Sequence, residues 1–498
     1  MCAYVVVFPG TEIVQGMSLN SHELESDLEL DPLVFKAMFN LKYLSVTHYY
    51  CTTKRSNLPQ GLRFLPDELR YLCWNHYPLR TLPPNFKPQN LVELNLWRSK
   101  LEKLWDGVQN FGSLKVLHLE ESENLIEIPN LSQALKVEKI YLTGCTSLKR
   151  LPSSIGKLKS LQLLHLDRCS KLEYLPEISE PMPNLRMLNL SESGIIGLPK
   201  SIYNLIGIES LVLNGCQNLK SLPTSIRELK SLKELRLSFC SKLEYLPEIL
   251  EPMPNLRVLE LSESGIIDLP KSIYNLIGIE SFVLNECQNL KSLPTTICLP
   301  ESIYNLIGIE SLVLIGCQNL RSLPTSIPEL KSLKELRLSF CSKLEHLPEI
   351  LEPMPNLKVL DLSESGIKDL PKSTYNLIGI ESLVLNECQK SQESSNQHLI
   401  LEQLRHFQYD LPVRAALKHA CDTSCPLCGS GLESAIHLFL FGKRVRLLWF
   451  MSQWHLRTDS LLYDSMASFL EIVLDRNYDR DFLVYASLLV DTVWRARN

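Results

Sequence analysis

From residue 41 to residue 388 the apolar positions follow two rhythms at once. Short stretches alternate apolar and polar, as in Ile208-Glu209-Ser210-Leu211-Val212-Leu213, which is the pattern of a half-buried strand. Such stretches return every 22 to 24 residues, about fifteen times. Each is followed by a turn and then by Leu-Pro-x-Ser-Ile, as at Leu151-Pro152-Ser153-Ser154-Ile155 and Leu222-Pro223-Thr224-Ser225-Ile226. Proline ends regular structure there, and the spacing of Ile226 and Leu229 suits a short helical or 3₁₀ turn on the convex face. One unit of this kind cannot bury its apolar side alone, whereas stacked units bury a continuous core. The pattern therefore predicts an α/β solenoid with parallel strands on the inner face and irregular or 3₁₀ structure on the outer face. Leucines point inward, and the residues between them face the concave side.

A longer period lies over the short one. Ser160 to Lys230 recurs from Ser231, 71 residues later, and again from Ser332, 101 residues further on. The second interval is longer because the unit Leu269 to Cys298 is copied again as Leu299 to Pro328. The strands at Phe282 to Leu284 and Leu312 to Leu314 are thus 30 residues apart instead of 24. The surplus around Thr295 to Pro300 is expected to bulge from the convex side, the alternative being that the whole coil is mis-spliced and locally disordered.

Eight of the 15 cysteines, Cys145, Cys169, Cys216, Cys240, Cys287, Cys317, Cys341 and Cys388, fall in a Leu-x-Leu-x-x-Cys pattern. They read as small buried side chains under the turn. Adjacent strands lie close enough for some to bridge, but in a reducing compartment they are expected to remain thiols.

Composition limits the function classes. The net charge of -5 argues against a mainly electrostatic grip on nucleic acid or anionic membrane. The start, Met1-Cys2-Ala3-Tyr4-Val5-Val6-Val7-Phe8-Pro9, has no basic leader, and no run of 18 apolar residues occurs. The expectation is a cytoplasmic protein, with the nucleus as a second compartment and no membrane contact. No nucleophile–base cluster or paired acidic site stands out, so no enzyme is expected. Four segments result: 1–40 as an N-terminal lead-in or cap, 41–388 as the solenoid, 389–404 as a polar linker, and 405–498 as a small, mostly α-helical domain.

The repeat is a leucine-rich repeat, and its wording resembles that of plant intracellular immune receptors of the TIR, nucleotide-binding, leucine-rich class. The resemblance covers about Gly10 to Cys388. Gly10 to Leu19 is similar to the linker after that family's nucleotide-binding module, and Phe35-Lys36-Ala37-Met38-Phe39-Asn40-Leu41 to its leading helix. Leu69-Arg70-Tyr71-Leu72-Cys73-Trp74 and Asn90-Leu91-Val92-Glu93-Leu94-Asn95-Leu96 are similar to its first repeats. No Gly-x-x-x-x-Gly-Lys-Ser/Thr loop occurs in these residues, so nucleotide binding and autonomous signalling are not expected. The resemblance implies recognition of a protein, either a pathogen effector or a host protein, in defence. Cell-surface plant receptors are a weaker match, since their repeats favour Gly-x-Ile-Pro. Without a leader, the sequons at Asn130 and Asn189 read as chance matches. The concave residues singled out as candidates are Trp97, Arg98, His118, Glu120, Lys233, Arg236, Glu260 and Asp361. An exposed tryptophan beside an arginine has hot-spot character.

A second motif lies near the C-terminus. Cys425-Pro426-Leu427-Cys428 followed by His437 offers two thiolates and an imidazole for tetrahedral zinc. With Leu411-Pro412-Val413-Arg414, Trp449 and Trp494-Arg495-Ala496-Arg497-Asn498, it resembles the reverse-transcriptase zinc-binding domain of plant non-LTR retroelements. That resemblance implies a fourth ligand, a cysteine, where this chain has Gly442. Zinc is the one cofactor the chain suggests, at a site expected to be incomplete. From Leu401 onward 11 Lys+Arg balance 11 Asp+Glu, so no basic surface advertises nucleic acid. Nucleic acid would enter only through this segment. The alternative readings are therefore a retroelement-derived, zinc-binding protein or a non-functional gene fusion.

Overall fold

The computed structural model describes residues 3–4, 11–20, 28–47, 56–105, 109–293, 308–325, 327–368 and 370–385. The chain divides into the units Met1–Asn386 and Glu387–Asn498. Cys388, the linker 389–404, the expected helical domain 405–498, the Cys425/Cys428/His437 set and the Thr295 to Pro300 surplus all lie outside the described residues.

In the first unit sixteen strands, from Gly16–Asn20 to Ser382–Val384, form one parallel sheet in chain order. Most are only three residues long, with a buried leucine between two half-buried neighbours. The register stacks like on like: Leu211 lies opposite Leu188 on one side and Leu235 on the other. These leucines are fully buried or nearly so, as are their partners two positions on, such as Leu190, Leu213 and Leu237. This is the predicted leucine-rich solenoid. The 30-residue step does not interrupt it, since Phe282 pairs in register with Leu312.

The sheet begins earlier than residue 41. Gly16–Asn20 pairs along its whole length with Tyr43–Thr47. The helix expected at Phe35 to Leu41 is absent. Hydrogen bonds there run from Lys36 N to Leu33 O and from Met38 N to Phe35 O, a succession of turns with three-residue closure. Phe35 and Leu41 are fully buried, and Phe35 meets Trp74 edge-on at 6.2 Å. Packing against the first coils thus decides the conformation of this segment.

The outer face carries 3₁₀ turns such as Ser153–Lys157, Lys200–Asn204 and Thr224–Glu228. Proline sets each start: Pro223 (φ -67°, ψ 148°) precedes the last of these. Its carbonyl accepts from Ile226 N at 3.0 Å, and Ile226 O accepts from Leu229 N. Both side chains are buried. Coils touch closely beyond these turns. A Cβ on Gly207, Gly278 or Gly379 would lie 1.9 Å from the carbonyl of Pro183, Pro254 or Pro355, so only glycine fits.

The cysteine slot is a hydrogen-bonded ladder. Cys145, Cys169, Cys216, Cys240, Cys287, Cys317 and Cys341 are buried free thiols. Each donates to a leucine carbonyl of the preceding coil, for example Cys169 to Leu142 at 3.2 Å and Cys216 to Leu190 at 3.0 Å. Ser99, Ser122, Ser193, Ser264 and Ser365 fill the same slot in other coils and are equally buried. Ser122 donates to Leu96 O at 3.1 Å. The slot therefore selects a small side chain with one donor, whether oxygen or sulfur. Burial pushes the Cys169 and Cys240 thiols up to about 12.

Candidate recognition surface

Two outward columns run along the sheet, with a third in the turn after each strand. Across five successive coils the second column reads Asn95, His118, Tyr141, His165, Asn189. The third reads Trp97, Glu120, Thr143, Asp167, Ser191. His118 and Tyr141 stack with ring centres 4.4 Å apart and planes 1° from parallel. Tyr141 meets His165 edge-on at 5.4 Å. His118 Nδ1 lies 3.5 Å from Glu120 Oε2, and His165 Nδ1 lies 3.9 Å from Asp167 Oδ1. Thr143 donates to Asp167 at 2.9 Å, and Asn189 donates to the same oxygen at 3.3 Å. His165 Nε2 is buried without a hydrogen-bond partner.

The turn after each strand is left-handed in thirteen successive coils, from His76 through Phe239 to Glu364. Glycine fills it only at Gly144, Gly215 and Gly316. The amide of the left-handed residue donates to a third-column carbonyl of the next coil, as Arg98 N does to Glu120 O at 2.8 Å. That bond extends the ladder past the strand and holds the third column in register.

Of the eight residues chosen from sequence, four lie on strands: His118, Arg236, Glu260 and Asp361. Trp97, Arg98 and Glu120 lie in the following turn, and Lys233 sits one residue before its strand. Trp97 is half-buried, not freely exposed. It meets His76 edge-on at 5.4 Å and carries Arg98 over its ring at 4.5 Å. Arg98 in turn lies 3.8 Å from Glu121.

The structure joins Trp97, Arg98, His118 and Glu120 into one patch. It places Lys233, Arg236 and Glu260 in another, further along the sheet. In that second patch the charges face one another. Arg236 pairs with Glu260 at 2.6 Å and Glu234 at 3.3 Å, and Lys233 pairs with Glu209 at 2.6 Å. The copy of this arrangement joins Arg337 to Glu335 at 2.5 Å and to Asp361 at 3.9 Å.

Tyr141 and His165 are marked in the sequence by column position, not by charge. Counting outward from Ile140 and Leu164 as from Leu117 would have put both beside His118. Among the described residues no cluster of three potential metal ligands occurs, and no helix is long and apolar enough to cross a membrane.

Comparison with known proteins agrees with this architecture. A leucine-rich repeat family model matches residues 90–109. The chain is 36% identical over 387 residues to the disease resistance-like protein DSC1 of Arabidopsis thaliana, covering 75% of this chain and 25% of that one. It is 34% identical over 399 residues to the disease resistance protein RPS6 of the same plant, covering 76% of this chain and 30% of that one. The matched stretches thus span about a quarter to a third of these relatives. A chain in the Drosophila Toll–Spätzle complex shares the fold, with a TM-score of 0.50 and 17% identity over 76% of this chain and 54% of that one. The repeat region of this chain is a leucine-rich repeat array homologous to Arabidopsis disease resistance proteins.

Proposed function

We propose that this chain is a non-enzymatic recognition module that binds a pathogen effector or a host protein in plant defence, in the cytoplasm or nucleus. The observation that carries this reading is the cluster of Trp97, His118, Tyr141 and His165 on the concave side of one continuous sheet. Ordered aromatic side chains with polar tips give large contact area at little entropic cost. A rigid array of paired strands holds them in place before any partner arrives. Homology to disease resistance proteins supports the defence setting.

The test is site-specific photocrosslinking of the full chain in leaf extract, before and after infection. Benzoylphenylalanine at position 141 should give a discrete protein adduct. The same group at Leu250, exposed away from the strands, should not. Equal labelling from both positions, or no adduct from position 141, would remove the reading.

A further inference from the structure

We infer that Asn214-Gly215 is a site of spontaneous modification by water, closed while its coil is paired, where Asn214 becomes aspartate or isoaspartate once that coil opens. It is the one Asn-Gly step in the sequence. It lies in the turn after the strand Ser210–Val212, with both residues half-buried and Gly215 left-handed at φ 73°. A glycine here leaves its amide nitrogen uncrowded by any side chain, and that nitrogen is the nucleophile of the reaction. It gives up its proton to solvent base and bonds to Asn214 Cγ. The bond from Cγ to Nδ2 breaks, and ammonia leaves with a proton from water. Water then opens the five-membered imide. Opening at Cγ gives aspartate, and opening at the main-chain carbonyl carbon gives isoaspartate.

The folded chain ties both reactants to one residue of the next coil. Gly215 N donates to Ser238 O at 2.7 Å, and Ser238 N donates to Asn214 Oδ1 at 2.9 Å. Ser238 is itself buried. The nucleophile thus keeps its proton in a hydrogen bond, and the side-chain amide is held towards the neighbouring coil. Ring closure requires Ser238 to leave, which means parting the strands Ser210–Val212 and Glu234–Arg236. Each coil of a solenoid touches only its neighbours, so such an opening is local.

The duplicated coils supply a comparison within the molecule. Asn285-Glu286, 71 residues on, holds Ile315 by the same two bonds. Ile315 N donates to Asn285 Oδ1 at 3.1 Å, and Glu286 N donates to Ile315 O at 2.6 Å. The next copy has Ile315-Gly316, with Gly316 N donating to Ser339 O at 2.7 Å. Either asparagine or glycine therefore serves this turn without the other, and only Asn214-Gly215 joins them. Isoaspartate at 214 adds one carbon to the backbone ahead of Gly215. That carbon displaces the bond to Ser238 and shifts Cys216, whose thiol donates to Leu190 O at 3.0 Å. The modification thus prevents the opened coil from closing as before.

The test is peptide mapping by mass spectrometry of the full chain held at mildly alkaline pH, folded and in concentrated guanidinium chloride. Electron-transfer fragmentation separates isoaspartate from aspartate. Asn214 should convert at least tenfold faster in denaturant than in the folded chain. In denaturant Asn285 should convert at least tenfold more slowly than Asn214. Leu235→Ala, on the strand that leads to Ser238, should speed conversion of Asn214 in buffer at least tenfold, whereas Leu360→Ala, several coils away, should change it less than threefold. Should Leu235→Ala lose its native circular dichroism, the ratio between folded and denatured unaltered chain decides alone. Equal rates for Asn214 in the folded and denatured chain, equal rates for Asn214 and Asn285 in denaturant, or an unchanged rate in folded Leu235→Ala would each overturn the inference.

Discussion

The coils from Glu93 to Ser191 and those from Glu234 to Glu364 share one backbone but present different faces. The first group shows a non-repeating series of Trp97, His118, Tyr141 and His165. The second shows an arginine–carboxylate motif twice, Arg236 with Glu260 and Arg337 with Asp361, because the sequence itself is duplicated. The stacking rule constrains only the inward leucines and the small-donor slot. The outward columns are free to vary, so a copied block that keeps its face unchanged adds length to the sheet without adding a new surface. Exposed ion pairs such as Lys331–Glu352 contribute little to stability. The difference between the two groups therefore concerns what each can bind, and their cores should respond alike to damage.

That equality gives the largest expected effect. Leu164→Ala in the first group and Leu235→Ala in the second remove side chains that are 3% and 5% exposed. Each should lower the unfolding free energy by about 2–5 kcal/mol. In a solenoid the loss is felt mainly by neighbouring coils. Hydrogen exchange should therefore show faster exchange around the substituted coil and near-native protection several coils away. A much smaller loss at either site would show that the two groups do not share one type of core.

The buried thiols give the next effect, again shared by both groups. Cys169 and Cys240 are lifted by burial from an ordinary 9.0 to about 12. The folded chain therefore holds these protons after the unfolded chain has lost them. Their contribution to stability is fully present below pH 9 and is lost as pH rises through 9 towards 12. The loss is about 1.4 kcal/mol per pH unit for each thiol within that window. Denaturant melts at pH 8, 9, 10 and 11 should show falling stability. The fall should flatten in Cys169→Ser/Cys240→Ser, since serine already fills this slot at Ser193 and Ser264.

The inward half of the fold could be read from the sequence: the strand cores, the proline-started outer turns and the cysteine slot all follow from period and residue type, while the choice of 3₁₀ over a helical turn came from the structure. Three features could not. Phe35 to Leu41 has an acceptable helical pattern, but contact with Trp74 and burial against the first coils favour turns. Ser122 and Ser193 look like ordinary turn serines until the sheet aligns them with Cys145 and Cys169. The pairing of His118 with Tyr141 and His165 depends on strand register across about 24 residues of chain, which a residue-by-residue search for charge overlooks.

Binding is where the two groups should separate. Tyr141→Ala removes the ring that joins His118 to His165 and should weaken the crosslinked partner by about 2 kcal/mol or more, as a central aromatic anchor does. Arg236→Ala and Arg337→Ala should each change it by less than about 0.5 kcal/mol, as solvent-exposed pairs do. Surface plasmon resonance with the identified partner measures all three. If the arginine substitutions proved the more damaging, the duplicated coils would be the recognition surface instead.

The smallest effect concerns the left-handed turn. Gly144, Gly215 and Gly316 occupy it without strain, whereas Phe239 (φ 63°) and Phe340 (φ 61°) place a bulky side chain there and leave it about half exposed. A left-handed non-glycine residue costs about 1–2 kcal/mol. Glycine returns part of that gain because it loses more freedom on folding, about 0.5–1 kcal/mol. Phe239→Gly and Phe340→Gly should each raise the unfolding free energy by about 0.5 kcal/mol, and equally, because the two sites are copies. The amide that donates to Ser262 O or Ser363 O is kept in both variants. Destabilisation would mean that the phenyl rings pack more favourably than their exposure indicates. Unequal effects would show that the duplicated blocks have diverged in energy while remaining alike in sequence.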